Sequence, residues 1–248
     1  MGNEHEDQDM KSNSYRILMK RIRKLWPGSG VVVGVTNSKG GSGKSTVCIH
    51  LGGAAEDAAV RTLIIDTDSQ RSCLDWDVNR DRAGPGPRVV SARDGRNVAR
   101  AVAWGRDQGF DLIIIDTAGR DAVTLPSIMS VCDIVLMPAQ PNLMDLNATL
   151  PVRRMAGKLD ILAPVILTRV LHEDTARTRK YVGRYSASGK VLSRGTTAKV
   201  AYTDAYEAGL TVQEFDPAGQ TALEMARILH AVLKLILENR EEGKSDAP

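Results

Sequence analysis

The segment NSKGGSGKST, residues 37–46, combines residue types that bind phosphate groups. Its three glycines allow backbone N–H groups to turn toward an anion, and Lys44 adds an ammonium group. The segment follows a Val-rich run and precedes a helical pattern, so a helix N-terminus adds its partial positive charge. Residues 37–46 therefore predict a phosphate-binding loop. A second lysine, Lys39, has no evident role within one copy of that loop.

Acidic residues follow two other predicted strands. Asp66 ends the run 62–66 and is followed closely by Asp68, whereas Asp116 ends the run 111–116. Open α/β sheets bind ligands outside the carboxyl ends of their strands. We therefore expect these carboxylates to lie near the phosphate-binding loop.

Short apolar runs alternate with helical patterns along the chain. We predict strands at 31–36, 62–66, 111–116, 133–137 and 164–168, with weaker candidates at 88–91 and 190–193, and helices at 45–58, 95–104, 172–185, 197–207 and 218–238. Continuous Val- and Ile-rich runs suit strands that are buried on both faces. The fold class is thus α/β, a doubly wound, mainly parallel sheet with helices on both faces.

The composition favours one domain in a reducing cytoplasm. A chain of 248 residues with 42% hydrophobic residues is long enough for a single large core. The N-terminus is acidic, and no apolar run is long enough to predict a membrane span. The three cysteines lack the paired spacing of a zinc or redox motif.

The N-terminal residues form a separate segment in our prediction. Residues 11–26 contain six basic residues and no acid, with apolar residues at helical spacing. We divide the chain into a basic amphipathic arm (1–29), a globular domain (30–240) and a flexible tail (241–248). Such an arm can bind DNA, lie on an anionic membrane, dock on a partner or pack on its own domain. The sequence leaves these alternatives open.

The phosphate-binding loop resembles that of a known family. Residues 39–46, KGGSGKST, match the deviant Walker A motif KGGxGK[ST][ST] of the ParA/MinD family of ATPases, whereas the general P-loop pattern requires glycine where this chain has Ser38. Residues 66–70 (DTDSQ) resemble the family's switch I, and residues 113–119 (IIIDTAG) resemble its Walker B strand and switch II. The resemblance covers about 31–237 and is strongest to small ParA-type plasmid partition proteins. It implies the P-loop NTPase fold of the deviant Walker A class.

The resemblance also implies roles in hydrolysis of ATP with Mg²⁺, and no further cofactor. Lys39, Lys44 and Asp68 would be catalytic, with Asp68 orienting the attacking water. Ser45, Asp66 and Asp116 would hold the metal. The nucleotide would be bound by Lys39, Gly40, Gly41, Ser42, Gly43, Lys44, Ser45 and Thr46 at the phosphates and by Thr168, Arg169 and Pro217 at the adenine.

In the family, the signature lysine reaches the phosphates of a second chain. For Lys39 the resemblance implies a homodimer that forms when ATP binds and separates after hydrolysis. This would give the second lysine of the loop its role.

Basic charge is concentrated in one part of the chain and suggests DNA as a partner. Residues 151–200 contain eleven Lys or Arg and three acids, a net charge of +8. This block could form a surface for non-specific DNA binding, although basic runs are also common as ordinary surface charge. The candidate residues are Arg153, Arg154, Lys180, Arg184, Lys190, Arg194 and Lys199. The family further implies a ParB-like centromere-binding partner that stimulates hydrolysis, and a nucleoid-associated location.

Three other functions remain open at this stage. A ParA-like protein can position a protein cargo instead of DNA. A MinD-like membrane regulator would need an amphipathic anchor, but the chain ends in acidic residues that an anionic bilayer repels, so we expect no stable membrane association and expect the apolar stripe of 225–236 to pack on the sheet. An iron–sulfur reductase would need cluster cysteines, for which Cys73 and Cys132 are the candidates.

Overall fold

The structure of the protein is a computed structural model. The structure describes residues 17, 18, 20, 21, 30–80, 86–119, 123–171, 175–192 and 195–245. Within them lie the strands β1 (Val31–Val35), β2 (Thr62–Asp66), β3 (Arg88–Ser91), β4 (Leu112–Asp116), β5 (Ile134–Ala139) and β6 (Val165–Leu167). The helices are α1 (Lys44–Asp57), α2 (Ser72–Asn79), α3 (Gly95–Asp107), α4 (Leu125–Met129), α5 (Leu143–Lys158), α6 (Ala176–Ser186), α7 (Ala201–Glu207), α8 (Val212–Phe215) and α9 (Gln220–Ser245).

The six strands form one parallel sheet in the order β3-β2-β4-β1-β5-β6. The strands β1, β2 and β4 are buried at every position, as expected for continuous apolar runs in a sheet covered on both faces. Strand β1 lies between β4 and β5, so the chain order reverses beside it. This reversal opens a crevice at the carboxyl end of β1, which is where the loop 36–43 begins. The predicted fold class is confirmed.

Two apolar layers cover the two faces of the sheet. Alternate strand residues such as Val33 and Ile114 pack with α1 and α9 on one face, whereas Val32 and Ile113 pack with α3 and α5 on the other. In α9 the apolar stripe is buried at Met225, Ile228, Leu229, Val232, Leu235 and Ile236. The stripe therefore packs on the domain, as predicted. Within the described ranges, none of the helices has the length and apolarity needed to cross a bilayer.

Several elements differ from the sequence prediction. Three helices were not predicted, α2, α4 and α8. Helix α5, which the family resemblance implied without fixed bounds, continues through Pro151. Pro151 is exposed. A proline ring disrupts a helix mainly through its missing N–H and its clash with the preceding turn, and both are easier to accommodate on the solvent face. Around 190–193 the described residues form only an isolated bridge, Val165 to Val191, instead of a strand. The last helix ends at Ser245 instead of residue 238, so residues 241–245 of the predicted tail are helical.

Helix α2 is attached to the segment 206–214 at three points along its length. The Tyr206 hydroxyl donates to the Ser72 carbonyl at 3.0 Å, and the Trp76 indole donates to the Leu210 carbonyl at 3.2 Å. Arg80, just after α2, forms an ion pair with Glu214 of α8. Because α2 starts directly after Asp68 and its turn, this attachment joins the switch I loop to α7 and α8.

Most of the predicted N-terminal arm lies outside the described residues. Of the part that is described, Leu18 is 9% exposed and belongs to the core layer formed with α9. The Arg21 guanidinium lies 2.5 Å from Glu241 Oε1 near the end of the same helix. These contacts favour packing of this part on its own domain, which was one of the four alternatives.

Candidate functional site

The loop between β1 and α1 has the backbone conformation of an anion-binding cradle. Gly41 and Gly43 have φ values of +71° and +96°, in the left-handed region that disfavours side chains with a Cβ. Gly43 precedes the first turn of α1, and no side chain in the described part of the chain caps that turn. The first N–H groups of a helix have no partner within it. These groups are therefore available to bind an anion, which is the role that the sequence predicts for them.

Lys44 lies on the inner side of this loop, close to the end of the Walker B segment. The residue is only 8% exposed. A Cβ built on Gly119 would lie 2.9 Å from Lys44 Nζ and 3.2 Å from the Asn37 carbonyl oxygen. Glycine at position 119 thus lets the segment after β4 approach the lysine. The ammonium group therefore lies between the loop and the end of the Walker B segment, and its contact with phosphates stays a prediction.

Asp66 and Asp68 organise the loop that follows β2. Asp66 accepts the backbone N–H groups of Cys73 and Leu74 on Oδ2, at 3.0 and 3.1 Å, and that of Asp68 on Oδ1. Asp68 accepts the N–H of Gln70 and lines the cleft. Burial raises the pKa of Asp66, and its backbone hydrogen bonds oppose the rise. Asp66 therefore fixes the loop and the start of α2, in addition to any contact with a metal ion.

Asp116 has the environment expected of a metal-binding carboxylate. It pairs in register with Asp66 across β2 and β4 and is completely buried. Its Oδ2 accepts from the Cys73 thiol at 3.2 Å, whereas Oδ1 has no hydrogen-bond partner among the described residues. Burial raises its pKa to about 6, and hydrogen bonding by Ser45 and Cys73 opposes the rise.

A buried hydrogen-bond acceptor such as Oδ1 of Asp116 lowers the stability of the fold unless a ligand binds to it. Carboxylate and hydroxyl oxygens from Asp66, Asp116 and Ser45 fit the preference of Mg²⁺, which keeps several water or phosphate ligands. In the described ranges, no group of three or more His, Cys, Asp or Glu side chains could hold a metal ion alone. The donor set thus suits a metal ion that arrives with a phosphate ligand.

Lys39 points away from this cradle. Its Nζ lies 2.5 Å from Oδ2 of Asp145, a fully buried carboxylate in the first turn of α5. The side chain of Lys39 itself is 31% exposed. The loop is further joined to α5 by Ser38, whose hydroxyl donates to the Ala148 carbonyl. Sequence reasoning did not find Asp145, and the only signal was a single acid in the otherwise uncharged stretch 135–146.

The arrangement of loop, lysine and two strand-end carboxylates agrees with a comparison against known families. The model of the CobQ/CobB/MinD/ParA nucleotide binding domain matches residues 33–236. The chain belongs to this family. It is thus a nucleotide-binding ATPase with the P-loop NTPase fold, and the recognition made from the sequence motifs is confirmed.

Relatives and solved structures of the family differ in their functions. The "maintenance of carboxysome distribution protein A" of Gloeobacter kilaueensis is 30% identical over 179 residues, covering 71% of this chain and 78% of the relative. The ParA protein of Rhizobium radiobacter is 30% identical over 116 residues, 46% of this chain and 50% of the relative. The MinD cell division protein of Aquifex aeolicus superposes with a TM-score of 0.68 at 19% identity, covering 83% of this chain and 98% of that structure.

The phosphate-binding loop of the chain lines a cleft with a volume of about 1360 Å³. Thr168 and Arg169, which we predicted at the adenine, both line it, and the Thr168 hydroxyl donates to the Ser42 carbonyl at 2.8 Å. Pro217 is exposed in the turn between α8 and α9 and does not belong to the cleft lining. The contact of Pro217 with the adenine therefore stays a prediction that the cleft lining does not support.

The opposite wall of the cleft was missed by the sequence analysis. It consists of residues 196–200, which include the isolated bridge of Thr197 to Val170, together with Tyr202, Thr203 and Tyr206 of α7. Buried Glu224 of α9 holds this wall by accepting from Thr197, Tyr202 and Gln220. Arg93, from the loop after β3, lines the end near switch I.

One predicted DNA-binding residue has a structural role instead. The Arg153 guanidinium donates to the carbonyls of Tyr185 and Lys190 and to the Ser188 hydroxyl, at 3.0 to 3.1 Å. It therefore joins α5 to the turn after α6. Burial lowers the pKa of Arg153. Of the remaining candidates, Arg194 lies outside the described residues, and Arg154, Lys180, Arg184, Lys190 and Lys199 are exposed. Lys199 also lines the cleft.

The cysteines do not have the exposure of cluster ligands. Cys48, Cys73 and Cys132 are free and buried. A cluster shared between two chains needs thiolates on the surface that joins them. The iron–sulfur alternative is therefore not supported by their placement.

Replacing Gly119 by Ala is expected to lower ATP hydrolysis about 100-fold, because misplacing a catalytic group by about 1 Å has effects of this size. The added Cβ lies 2.9 Å from Lys44 Nζ and 3.2 Å from the backbone oxygen of Asn37, so the ammonium group must move and the loop must yield slightly. Phosphate release under saturating Mg·ATP measures the effect. Gly157→Ala in α5 is the matched control, since nothing lies within 4 Å of its Cβ. Equal activity of the two variants would contradict the proposed close approach.

Proposed function

We propose that the chain is a ParA-type ATPase that positions DNA, most simply a plasmid, by alternating between an ATP-bound dimer on DNA and a free monomer. The observation that carries the proposal is the position of Lys39. It belongs to the phosphate-binding loop, yet its ammonium group contacts Asp145 on the far side of that loop.

Lys39 and Lys44 have different environments although they lie in one loop. Lys44 is buried beside Gly119 and faces the cradle of its own chain. Lys39 lies on the α5 side, where exposure of 31% of its side chain leaves it accessible to another molecule. A phosphate group of a nucleotide bound to a second copy has the charge needed to replace the Asp145 carboxylate. ATP would then be shared between two chains.

The other residues support hydrolysis of that shared nucleotide. The N–H groups of residues 40–44 bind its phosphates, Lys44 neutralises their charge, and Thr46 contacts the α phosphate of ATP. Ser45, Asp66 and Asp116 would hold Mg²⁺, which would supply neutralisation of the phosphate charge. Asp68 orients the water that attacks the terminal phosphate. Release of phosphate removes the group that both chains bind, so the dimer separates.

Helix α6 provides the strongest support for a DNA surface. Its eleven residues, ARTRKYVGRYS, include four basic residues and no acid, and among its residues Thr178 and Tyr185 are the buried ones. Lys180 and Arg184 are exposed. A surface of this kind binds phosphates independently of base sequence. Dimerisation doubles the number of such contacts, so ATP can control DNA affinity without changing the surface.

Reversing two charges on α6 tests this proposal. The variant Lys180→Glu/Arg184→Glu is expected to weaken ATP-dependent DNA binding about 100-fold. The slope of log K against the logarithm of the salt concentration should become smaller by about two for each chain of the dimer. ATP hydrolysis without DNA should stay unchanged. The matched control is Arg96→Glu/Arg100→Glu on the exposed side of α3. Fluorescence anisotropy with labelled duplex DNA at several salt concentrations measures all three proteins.

Two results would contradict a DNA surface on α6. One is equal weakening by both double variants, which would indicate only a general effect of net charge. The other is wild-type DNA binding that does not change with salt. A DNA-binding partner of the ParB type, expected to stimulate hydrolysis, is tested in the same assay by adding the product of the neighbouring gene.

A protein cargo is the second candidate function. It is favoured by the 30% identity to the carboxysome distribution protein, which covers more of this chain than the ParA match does. Both candidates share ATP-dependent DNA binding, so the cargo separates them. If deletion of the gene lowers retention of the replicon that carries it, the cargo is DNA. Unchanged retention favours a protein cargo.

A further inference from the structure

One buried thiol connects the two carboxylates at the carboxyl ends of β2 and β4. Cys73 lies in the first turn of α2 and is completely buried. Its backbone N–H donates to Asp66 Oδ2 at 3.0 Å, and its Sγ lies 3.2 Å from Asp116 Oδ2. An ionised carboxylate only accepts hydrogen bonds, so the thiol is the donor. The same residue thus contacts both acidic groups of the site, one through its backbone and one through its side chain.

A second buried thiol lies behind the first. The Cys48 side chain, from α1, is also completely buried and interacts with the Cys73 thiol. The Cys73 side chain is therefore held between α1 and the end of β4. Its direction does not depend on the switch I loop alone.

The thiol determines which oxygen of Asp116 is free. Oδ2 is occupied by Cys73, whereas buried Oδ1 has no partner among the described residues. Rotation of the carboxylate would exchange these roles and break its hydrogen bond with Cys73, which acts on Asp116 together with the Ser45 hydroxyl. Groups behind a metal ligand fix its orientation in this way.

We propose that Cys73 is a positioning residue for the Mg²⁺ site, setting the relative placement of Asp66 and Asp116 so that Oδ1 of Asp116 is directed to the ion or to one of its waters. This inference rests on the proposed function, since it assumes that Mg²⁺ arrives with ATP. Cys73 acts through the two carboxylates and touches neither the nucleotide nor the reacting atoms.

The test compares Cys73→Ala with Cys73→Ser and with Cys132→Ala. Alanine removes the donor, whereas serine retains one. Cys132 is a matched control because it is also buried, but its thiol donates to the Ile128 carbonyl, away from the site. Binding of a fluorescent ATP analogue is measured as a function of Mg²⁺ concentration and again in excess EDTA.

Cys73→Ala is expected to raise the Mg²⁺ concentration at half-saturation about tenfold, the lower end of the range for such partners because a thiol is a weak donor. Binding in EDTA should not change, because the phosphate cradle is intact. Cys73→Ser should restore most of the Mg²⁺ affinity. A change confined to folding would alter binding equally with and without Mg²⁺.

A second measurement uses the wild-type protein and does not depend on the folding of the alanine variant. The S–H stretching band of Cys73, assigned by its loss in Cys73→Ser, should shift when Mg²⁺ is added to the nucleotide-bound protein. The band of Cys132 should not shift.

The outcomes separate this inference from the proposed function. If the wild type binds no nucleotide with Mg²⁺, both are overturned. If the wild type binds but Cys73→Ala matches Cys132→Ala in its Mg²⁺ dependence, or the Cys73 band does not move, only the positioning role is overturned.

Discussion

Lys39→Gln is expected to abolish ATP-dependent dimerisation, while the monomer continues to bind nucleotide. Glutamine cannot neutralise a phosphate of the second chain, and a charge-assisted contact of this kind is roughly twice as strong as a neutral hydrogen bond. The cradle of the same chain keeps Lys44, which lies on the other side of the loop. Light scattering with a slowly hydrolysed ATP analogue measures the dimer, and a fluorescent nucleotide measures binding by the monomer.

The control for this variant follows from Asp145. Lys39→Gln leaves a fully buried carboxylate without its cation, which should lower the free energy of unfolding by about 3 kcal/mol. In Lys39→Gln/Asp145→Asn the unpaired charge is removed, so thermal stability should recover. Dimerisation should not recover. A dimer of Lys39→Gln with ATP, or recovery of the dimer in the double variant, would contradict the role of Lys39 between chains.

Asp68→Ala is expected to have the opposite effect on the dimer. Loss of the group that orients the water should lower hydrolysis at least about 100-fold, the scale for a positioned general base. The metal-binding carboxylates and both lysines remain, so ATP should still bind and the dimer should persist. The variant loses one local contact, the acceptor for the Gln70 N–H.

Single-turnover phosphate release and the lifetime of the dimer measure this prediction. Asp75→Ala, an exposed acid in the first turn of α2, is the matched control and should hydrolyse ATP at the wild-type rate. If Asp68→Ala fails to dimerise with ATP, its role in the switch loop is structural. If it hydrolyses ATP normally, another group orients the water.

The sequence predicted the central part of the fold because its signals there are local. The runs of β1, β2 and β4 are apolar at nearly every position, and only strands covered on both faces require that pattern. The loop 37–46 was equally clear, since its glycines, lysines and hydroxyls act through neighbouring backbone. Asp66 and Asp116 then followed from their places at the ends of adjacent strands.

The missed features depend on contacts between distant parts of the chain. Asp145 meets Lys39 across 106 residues, and Arg153 caps a turn 32 to 37 residues later. We predicted Arg153 as part of a DNA surface from its charge alone, because its carbonyl partners, Tyr185 and Lys190, are distant in the sequence. The bounds of helix α5 could not be set from the sequence because Pro151 lies inside it, although an exposed proline is tolerated.

The attachment of α2 to the segment 206–214 also connects the loop at Asp68 with residues outside the cleft. The contacts of Trp76 and Tyr206 and the ion pair of Arg80 with Glu214 give a displacement of the loop at Asp68 a physical connection to α8. Phe215, at the end of α8, is 42% exposed and does not line the cleft. A fluorophore attached at this position would therefore report turnover in real time without obstructing catalysis.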